Sequence, residues 1–258
     1  MIYKFNVNYL LVMIVFFLNQ SCSKKSDLDD LNLKGNIASI TSTKYNAVER
    51  FGKPETTSRA KRNDFLKEEV EENSKFVFSS EKKLNEIILY DQQGQTLQVL
   101  KTINDSVVEI YSDTGALLSR LITENTDYPK FINTYDFEGK LLMKIENNYN
   151  LENLVSEELE YNAEGALSTK IENKYNDKNQ LLSKKYTLSD PYERIKNIEL
   201  GFDYDADNFV KILKYIYNGD IIRVDYKYEK DKIGNWIKRI EFINNKIAHI
   251  VQREIIYY

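Results

Sequence analysis

The chain has 258 residues, with 36 Lys and Arg against 40 Asp and Glu and a formal net charge of −4. This mildly acidic, sign-mixed balance carries no basic excess to neutralise phosphates, so nucleic acid is excluded as a natural partner. One cysteine and one histidine are too few for the common nucleophile–base pairs or a typical His/Cys zinc site, so neither a metal nor a cofactor is expected.

The first predicted element is a leader. Lys4 precedes an apolar run from Leu10 to Leu18, then Asn19-Gln20-Ser21 and the lone Cys22. A charged start, a short apolar core and polar or small residues before a cut make a secretory signal. The run has nine residues, far short of the roughly 20 that span a bilayer as a helix. The layout resembles a bacterial lipoprotein signal. That resemblance implies a cleaved signal helix over residues 1–21, lipidation of Cys22, and the membrane as partner through the lipid. Ser23 after the cysteine resembles outer-membrane sorting, with either the periplasmic or the surface face open. Ser23 to Asp30 reads as a solvated stretch, so residues 22–32 are expected to be a lipidated tether and residues 33–258 the body.

Within the body, residues 33–45 predict one or two strands. Residues 53–73 are polar and charge-dense, with a basic patch at Arg59, Lys61 and Arg62 before the acidic run from Glu68 to Glu72. Their opposite charges fit a short helix or a loop.

From there a repeat dominates: Tyr, then Asp, Asn or Ser, two variable residues, Gly or Asn, then an aliphatic. It reads Tyr90-Asp91-Gln92-Gln93-Gly94, Tyr111-Ser112-Asp113-Thr114-Gly115, Tyr135-Asp136-Phe137-Glu138-Gly139 and Tyr161-Asn162-Ala163-Glu164-Gly165. Tyr175 to Asn179 and Tyr204 to Asn208 place Asn where the others have Gly, and weaker copies start at Phe78, Tyr217 and Tyr228. Gly and Asn accept a positive φ at little steric cost, so each unit predicts a β-hairpin. Flanking segments alternate: Leu159 with Tyr161, Ile171 with Asn173 and Tyr175, and Val224 with Tyr226 and Tyr228 are expected on the buried side, charges on the other. The fold class expected is all-β, a meandering antiparallel sheet of Tyr-Asp-x-x-Gly hairpins, twisted or curled.

The unit resembles the YD repeat of the Rhs family, over roughly residues 76–236. Segments near Leu33-Lys34-Gly35-Asn36-Ile37 and Gly234-Asn235-Trp236 resemble small envelope lipoproteins carrying such repeats. The resemblance implies a non-catalytic binding or scaffolding module of the cell envelope, with a glycan or another envelope protein as ligand.

Candidate binding residues are the lone Trp236 and the repeat tyrosines Tyr135, Tyr161 and Tyr204, since aromatic side chains on a sheet stack on sugars or anchor proteins. Core packing is the competing role for each. His249 is expected as a packed or edge residue. Asp203-Tyr204-Asp205-Ala206-Asp207-Asn208 opens like a calcium loop but has Asn208 at the sixth position and Lys214 at the twelfth, and reads better as a repeat turn. No catalytic residue is assigned and the chain is read as not an enzyme. The alternatives are a glycan-acting hydrolase with paired carboxylates and a ligand-free spacer.

Overall fold

The computed structural model describes residues 27–62, 71–124, 128–189, 197–217 and 219–258. The expected signal helix and Cys22 lie outside the described residues. Among the described residues a single short helix, α1 (Asp27–Asp30), is followed by β1 (Ile37–Arg50), β2 (Lys53–Arg59), β3 (Ser74–Phe78), β4 (Leu84–Tyr90), β5 (Thr96–Asn104) and β6 (Val107–Ser112). Then come β7 (Leu117–Thr123), β8 (Phe131–Asp136), β9 (Leu141–Tyr149), β10 (Val155–Asn162), β11 (Leu167–Tyr175) and β12 (Leu181–Leu188). The chain ends with β13 (Asn197–Tyr204), β14 (Val210–Tyr217), β15 (Asp220–Lys230), β16 (Trp236–Ile243) and β17 (Lys246–Tyr257).

Each strand from β3 onward pairs antiparallel with the next. β1 then pairs with both β17 and β3. The ring therefore closes into a barrel of 16 antiparallel strands, β1 and β3 to β17, with β2 added as a hairpin on the outer half of β1. This corrects the expectation of a meandering sheet. Closure removes the exposed edges that such a sheet would have to protect, and β1 supplies it by bonding to both neighbours over Ser39 to Ser42.

The repeat explains the hairpins. In the copy at Tyr135, the Asp136 N–H donates to the Lys140 carbonyl at 2.9 Å, and the Gly139 N–H to the Asp136 carbonyl at 3.1 Å. Asp136 Oδ1 accepts from the backbone N–H of Glu138 (3.0 Å) and Lys140 (2.8 Å). Gly139 sits at φ 87°, a left-handed conformation that glycine adopts freely. Asn179 (φ 61°) and Asn208 (φ 66°) fill the same place, as Asn tolerates it. The register slips by one residue beside the tyrosine of each hairpin, as at Thr134/Tyr135 and Glu160/Tyr161. A bulge of this kind adds twist, which a closed barrel needs. The turn Asn150 to Asn153 has the same bonding, although its sequence, Tyr149-Asn150-Leu151-Glu152-Asn153, was not among the copies read from the chain.

Alternation gives one inner and one outer face. Inner residues Leu121, Ile132, Ile145, Ile171 and Leu200 have no accessible surface, so side chains fill the barrel there. The outer face carries cross-strand ion pairs: Glu109–Arg120 (2.8 Å), Glu146–Lys130 (3.5 Å), Glu157–Lys170 (2.7 Å) and Asp203–Lys214 (3.4 Å). A barrel in lipid has the reverse arrangement, an apolar band outside.

One inference from alternation fails. On β10, past Val155, the buried residues are Glu158 and Glu160, while Leu159 and Tyr161 are partly exposed on the outer face. The bulge at Val155/Glu157 resets the phase of that strand, and a one-residue slip exchanges its faces. Ile171 with Asn173, and Val224 with Tyr226 and Tyr228, do face inward.

The linker expectation also fails from Asp27 on. Leu28 is 1% exposed and packs with Leu33, Ile37 and Phe78. Asp27 Oδ2 accepts the Leu84 N–H at 2.6 Å, Asn32 Nδ2 donates to the Asp207 carbonyl, and Lys34 and Asn235 exchange bonds. All these partners lie where β3 meets β4, β13 meets β14, and β15 meets β16. The segment therefore plugs one end of the barrel. The hairpin of β1 and β2 extends from the other end, with Phe51 fully exposed at its tip. Of the segment expected as helix or loop, residues 53–59 form β2, Ala60 to Arg62 have no regular structure, and 63–70 lie outside the described residues.

Candidate functional site

Trp236 is not a surface platform. It is buried beside Phe209 and Val251, and the Arg253 guanidinium lies 3.3 Å from its ring centroid. A guanidinium on an indole face is a favourable cation–π arrangement. Tyr228 packs against the same ring at 5.9 Å.

Around Trp236 the seam between the first and last strands holds a buried ionic ring. Lys44 Nζ on β1 lies 2.8 Å from Glu72 Oε2 and 3.5 Å from Glu241 Oε2 on β16. Arg239 Nη2 lies 2.9 Å from Glu72 Oε1 and 2.6 Å from Glu241 Oε1. Two cations thus alternate with two carboxylates. Arg253 pairs with Glu71 beside them. The register of the seam sets this placement: Lys44 stands opposite Val251, and Glu241 opposite His249.

Burial raises the Glu72 carboxyl, with the neighbouring Glu241 charge adding to it and Lys44 and Arg239 opposing. Burial also acts upward on Glu241, but Arg239, His249 and Lys44 outweigh it and hold that carboxyl well below its ordinary range. Of the pair, Glu72 accepts a proton first. Burial pushes the Arg253 guanidinium down to about 10, against the pull of Glu71. His249 Nδ1 lies 3.2 Å from Glu241 Oε2, which makes the histidine a member of this ring rather than an isolated edge residue. Six full charges balance here, Lys44, Arg239 and Arg253 against Glu71, Glu72 and Glu241. The chemistry supported is structural, a clasp that closes the barrel. Nothing in the sequence pattern joined Lys44 to residues near 240, because the partners are about 200 positions apart.

Tyr204 is also internal. Its hydroxyl donates to the Leu181 carbonyl at 2.9 Å. The same device recurs at the plugged end: Tyr149 to Pro129 (3.0 Å), Tyr175 to Val155 (2.9 Å) and Tyr228 to Val210 (2.7 Å). Each hydroxyl satisfies a carbonyl at the start of the preceding strand. Asp205 Oδ1 accepts the N–H groups of Asp207 and Phe209, so the acidic cluster there builds a turn. Beside that turn, Gln180, Leu182 and Asn208 line a shallow depression.

Tyr135 and Tyr161 take the outer face, near the end opposite the plug. Tyr135 stands opposite Arg120, and Tyr161 opposite Lys144. Tyr90 and Tyr111 occupy equivalent outer places on β4 and β6, with Arg59 over the Tyr90 ring and Lys101 over the Tyr111 ring. The four tyrosines thus recur on every second strand, about 9–10 Å apart. Arg59, from the basic patch, serves this row and also donates to Asn73 Oδ1. Arg62 instead turns inward to the Glu72 carbonyl. Of the four sequence candidates, then, the structure groups Tyr135 with Tyr161 and separates them from Trp236 and Tyr204.

No protein-family model and no curated protein matches the chain. Among solved structures, the fold is similar to a porin-like protein from Bacteroides uniformis, with TM-score 0.53 and 11% identity, over 85% of this chain and 98% of that one. Weaker likenesses include a TcdB2–TccC3–Cdc42 complex (TM-score 0.31, 11% identity, 78% of this chain and 12% of that one). Another is an outer membrane lipoprotein-sorting protein domain, described as putative, from Vibrio parahaemolyticus (TM-score 0.29, 8% identity, 88% of each chain). The first supports the closed all-β barrel, and the other two are too distant to bear on fold or function.

Proposed function

We propose that this is a lipid-anchored protein of the bacterial outer membrane whose barrel stands in water and binds an envelope glycan without catalysis. The observation that carries the reading is the division of faces. The inner face is occupied by apolar packing and the ionic clasp, while the outer face presents tyrosines on alternate strands among ion pairs. Sugar rings stack on such aromatics, and the neighbouring Arg and Glu groups offer hydrogen bonds to hydroxyls. A short relative of the YD-repeat proteins would use the repeat in this way, as a rigid display rather than a long shell.

The anchor fits the plug. Asp27 follows Cys22 by five positions, a reach of at most about 17 Å in extended chain. Lipid on Cys22 would hold the plugged end toward the membrane and turn the Tyr135 and Tyr161 end outward.

The test has two arms. Cys22→Ala should release the protein from the membrane fraction, and retention of the mutant there would end the anchor reading. Tyr135→Ala with Tyr161→Ala should lower retention of the protein on immobilised envelope polysaccharide at least tenfold, with unchanged melting temperature. Equal retention by the double mutant would end the glycan reading.

A further inference from the structure

Inside the barrel, β9 to β12 carry a second set of buried charges, and this set is not balanced. Glu158 and Glu160 point inward from β10 and Lys184 from β12, all buried. Among the described residues of these four strands, that leaves one negative charge in excess on the inner face. The clasp at the seam, in contrast, gives each of its three carboxylates a cation partner.

Glu158 is the group left over. It is 1% exposed, and neither carboxylate oxygen accepts a hydrogen bond. Lys184 stands opposite Asn173, with its Nζ 5.6 Å from the Tyr186 ring centroid. A buried carboxylate with no partner is strongly unfavourable.

Two amides beside Glu158 present further oxygen. Asn147 stands directly opposite it on β9, which places such side chains about 5 Å apart. Asn173 lies two residues beyond Ile171, the β11 partner of Glu158, on the same face. Both amides are oriented by their nitrogens: Asn147 Nδ2 donates to the Pro129 carbonyl (3.1 Å) and Asn173 Nδ2 to the Val155 carbonyl (2.9 Å). A flipped amide would set oxygen against oxygen, so the hydrogen bonds fix the assignment. The two Oδ1 atoms are buried and accept nothing. Tyr149 and Tyr175 hydroxyls are spent on the same two carbonyls. On the inner face the pattern Asn-x-Tyr recurs at Asn147 and Asn173, 26 residues apart, and both copies turn an amide oxygen inward beside one carboxylate.

We infer that Glu158, Asn147 Oδ1 and Asn173 Oδ1 hold a hard metal cation inside the barrel, near the plugged end. Carboxylate and amide oxygens without nitrogen or sulfur select alkali and alkaline-earth ions over zinc or copper. The cation would supply the missing positive charge and join β9, β10 and β11 through one centre.

The test uses the whole acylated protein in detergent, freed of metals with chelator and exchanged into choline chloride. Calcium, sodium and potassium chloride are then titrated separately at constant ionic strength, with melting temperature and direct binding by calorimetry or 45Ca or 23Na measurements. The expected result is one site for one of these ions, with a melting temperature that rises with its concentration. Glu158→Gln, close in shape and neutral, should fold without the ion and lose the response. Asn147→Ala should weaken binding at least tenfold. Equal melting in all four salts would overturn the inference, as would an ion response that survives Glu158→Gln. Should Glu158→Gln fail to fold, the wild-type stoichiometry decides: no saturable site means no cation.

Discussion

Lys44 donates to both carboxylate oxygens of Glu72, at 2.9 and 2.8 Å, across the seam where the first strand closes the barrel. Both side chains are almost wholly buried. Removing one partner of such a pair leaves an uncompensated charge, at a cost of about 3–5 kcal/mol. Lys44→Met should therefore destabilise by that amount in urea unfolding. Lys44→Met combined with Glu72→Gln should recover part of the loss, because the stranded carboxylate is gone. Independent, additive losses from the two single mutants would show that the ring does not couple them.

Acid should act on the same ring with a definite sign. The Glu241 carboxyl is held below its unfolded value of 4.5, so its contribution is present above that pH and is lost as pH falls below it. Glu72 is raised from 4.5 and runs the other way, costing stability as pH rises through its folded value. Melting temperature measured from pH 7 to pH 3 should fall below about 4.5. Glu241→Gln should melt lower at neutral pH, and its gap from wild type should narrow in acid. A gap that stays constant across that range would contradict the assignment to Glu241.

The turns give a milder prediction. Asp136 Oδ1 accepts two backbone N–H groups, and Gly139 holds φ 87° with open space where a Cβ would go. Asp136→Ala removes the cap and Gly139→Ala adds only backbone strain, so each should cost about 1 kcal/mol. For a chain of this size that corresponds to about 2–4 °C in melting temperature. Asn179→Gly, at the equivalent place, should be nearly silent. A larger loss at Asn179 than at Gly139 would mean that its side chain does more than tolerate the conformation.

What the sequence makes legible is local. The Asp136 and Asn162 turns, and the alternation at Ile171 and Val224, follow from residues within ten positions of each other. Closure does not, because it depends on Ile40 finding both Ile255 and Phe76. The inward turn of Glu158 is hidden for another reason: a bulge shifts β10 by one residue, and a carboxylate then reads as outer face by pattern alone. Trp236 and Tyr204 share the composition of surface aromatics, and only the strand phase and the plug decide that they are internal. The row of Tyr135 and Tyr161 was within reach, since both copies keep Gly after an Asx turn, whereas the inward-facing Tyr175 and Tyr204 belong to copies with Asn.

The amino-terminal plug provides the sharpest separation between tether and body. A lipoprotein tether tolerates substitution, since it makes no packed contacts. Leu28 instead sits in the main core with Leu33, Ile37 and Phe78, and Asp27 accepts the Leu84 N–H at the first hairpin of the barrel. Leu28→Ala should then cost about 2–5 kcal/mol, the usual loss for a buried leucine, read from urea unfolding of the folded protein. Asp27→Asn should cost less, because an amide oxygen can still accept that bond. Substitutions at Ser23 to Lys25, ahead of the described residues, should leave unfolding unchanged if the tether is short and ends there. An unaltered midpoint in Leu28→Ala would return Asp27 to Asn32 to the tether and leave the end of the barrel to be closed by Leu33 and Ile37 alone.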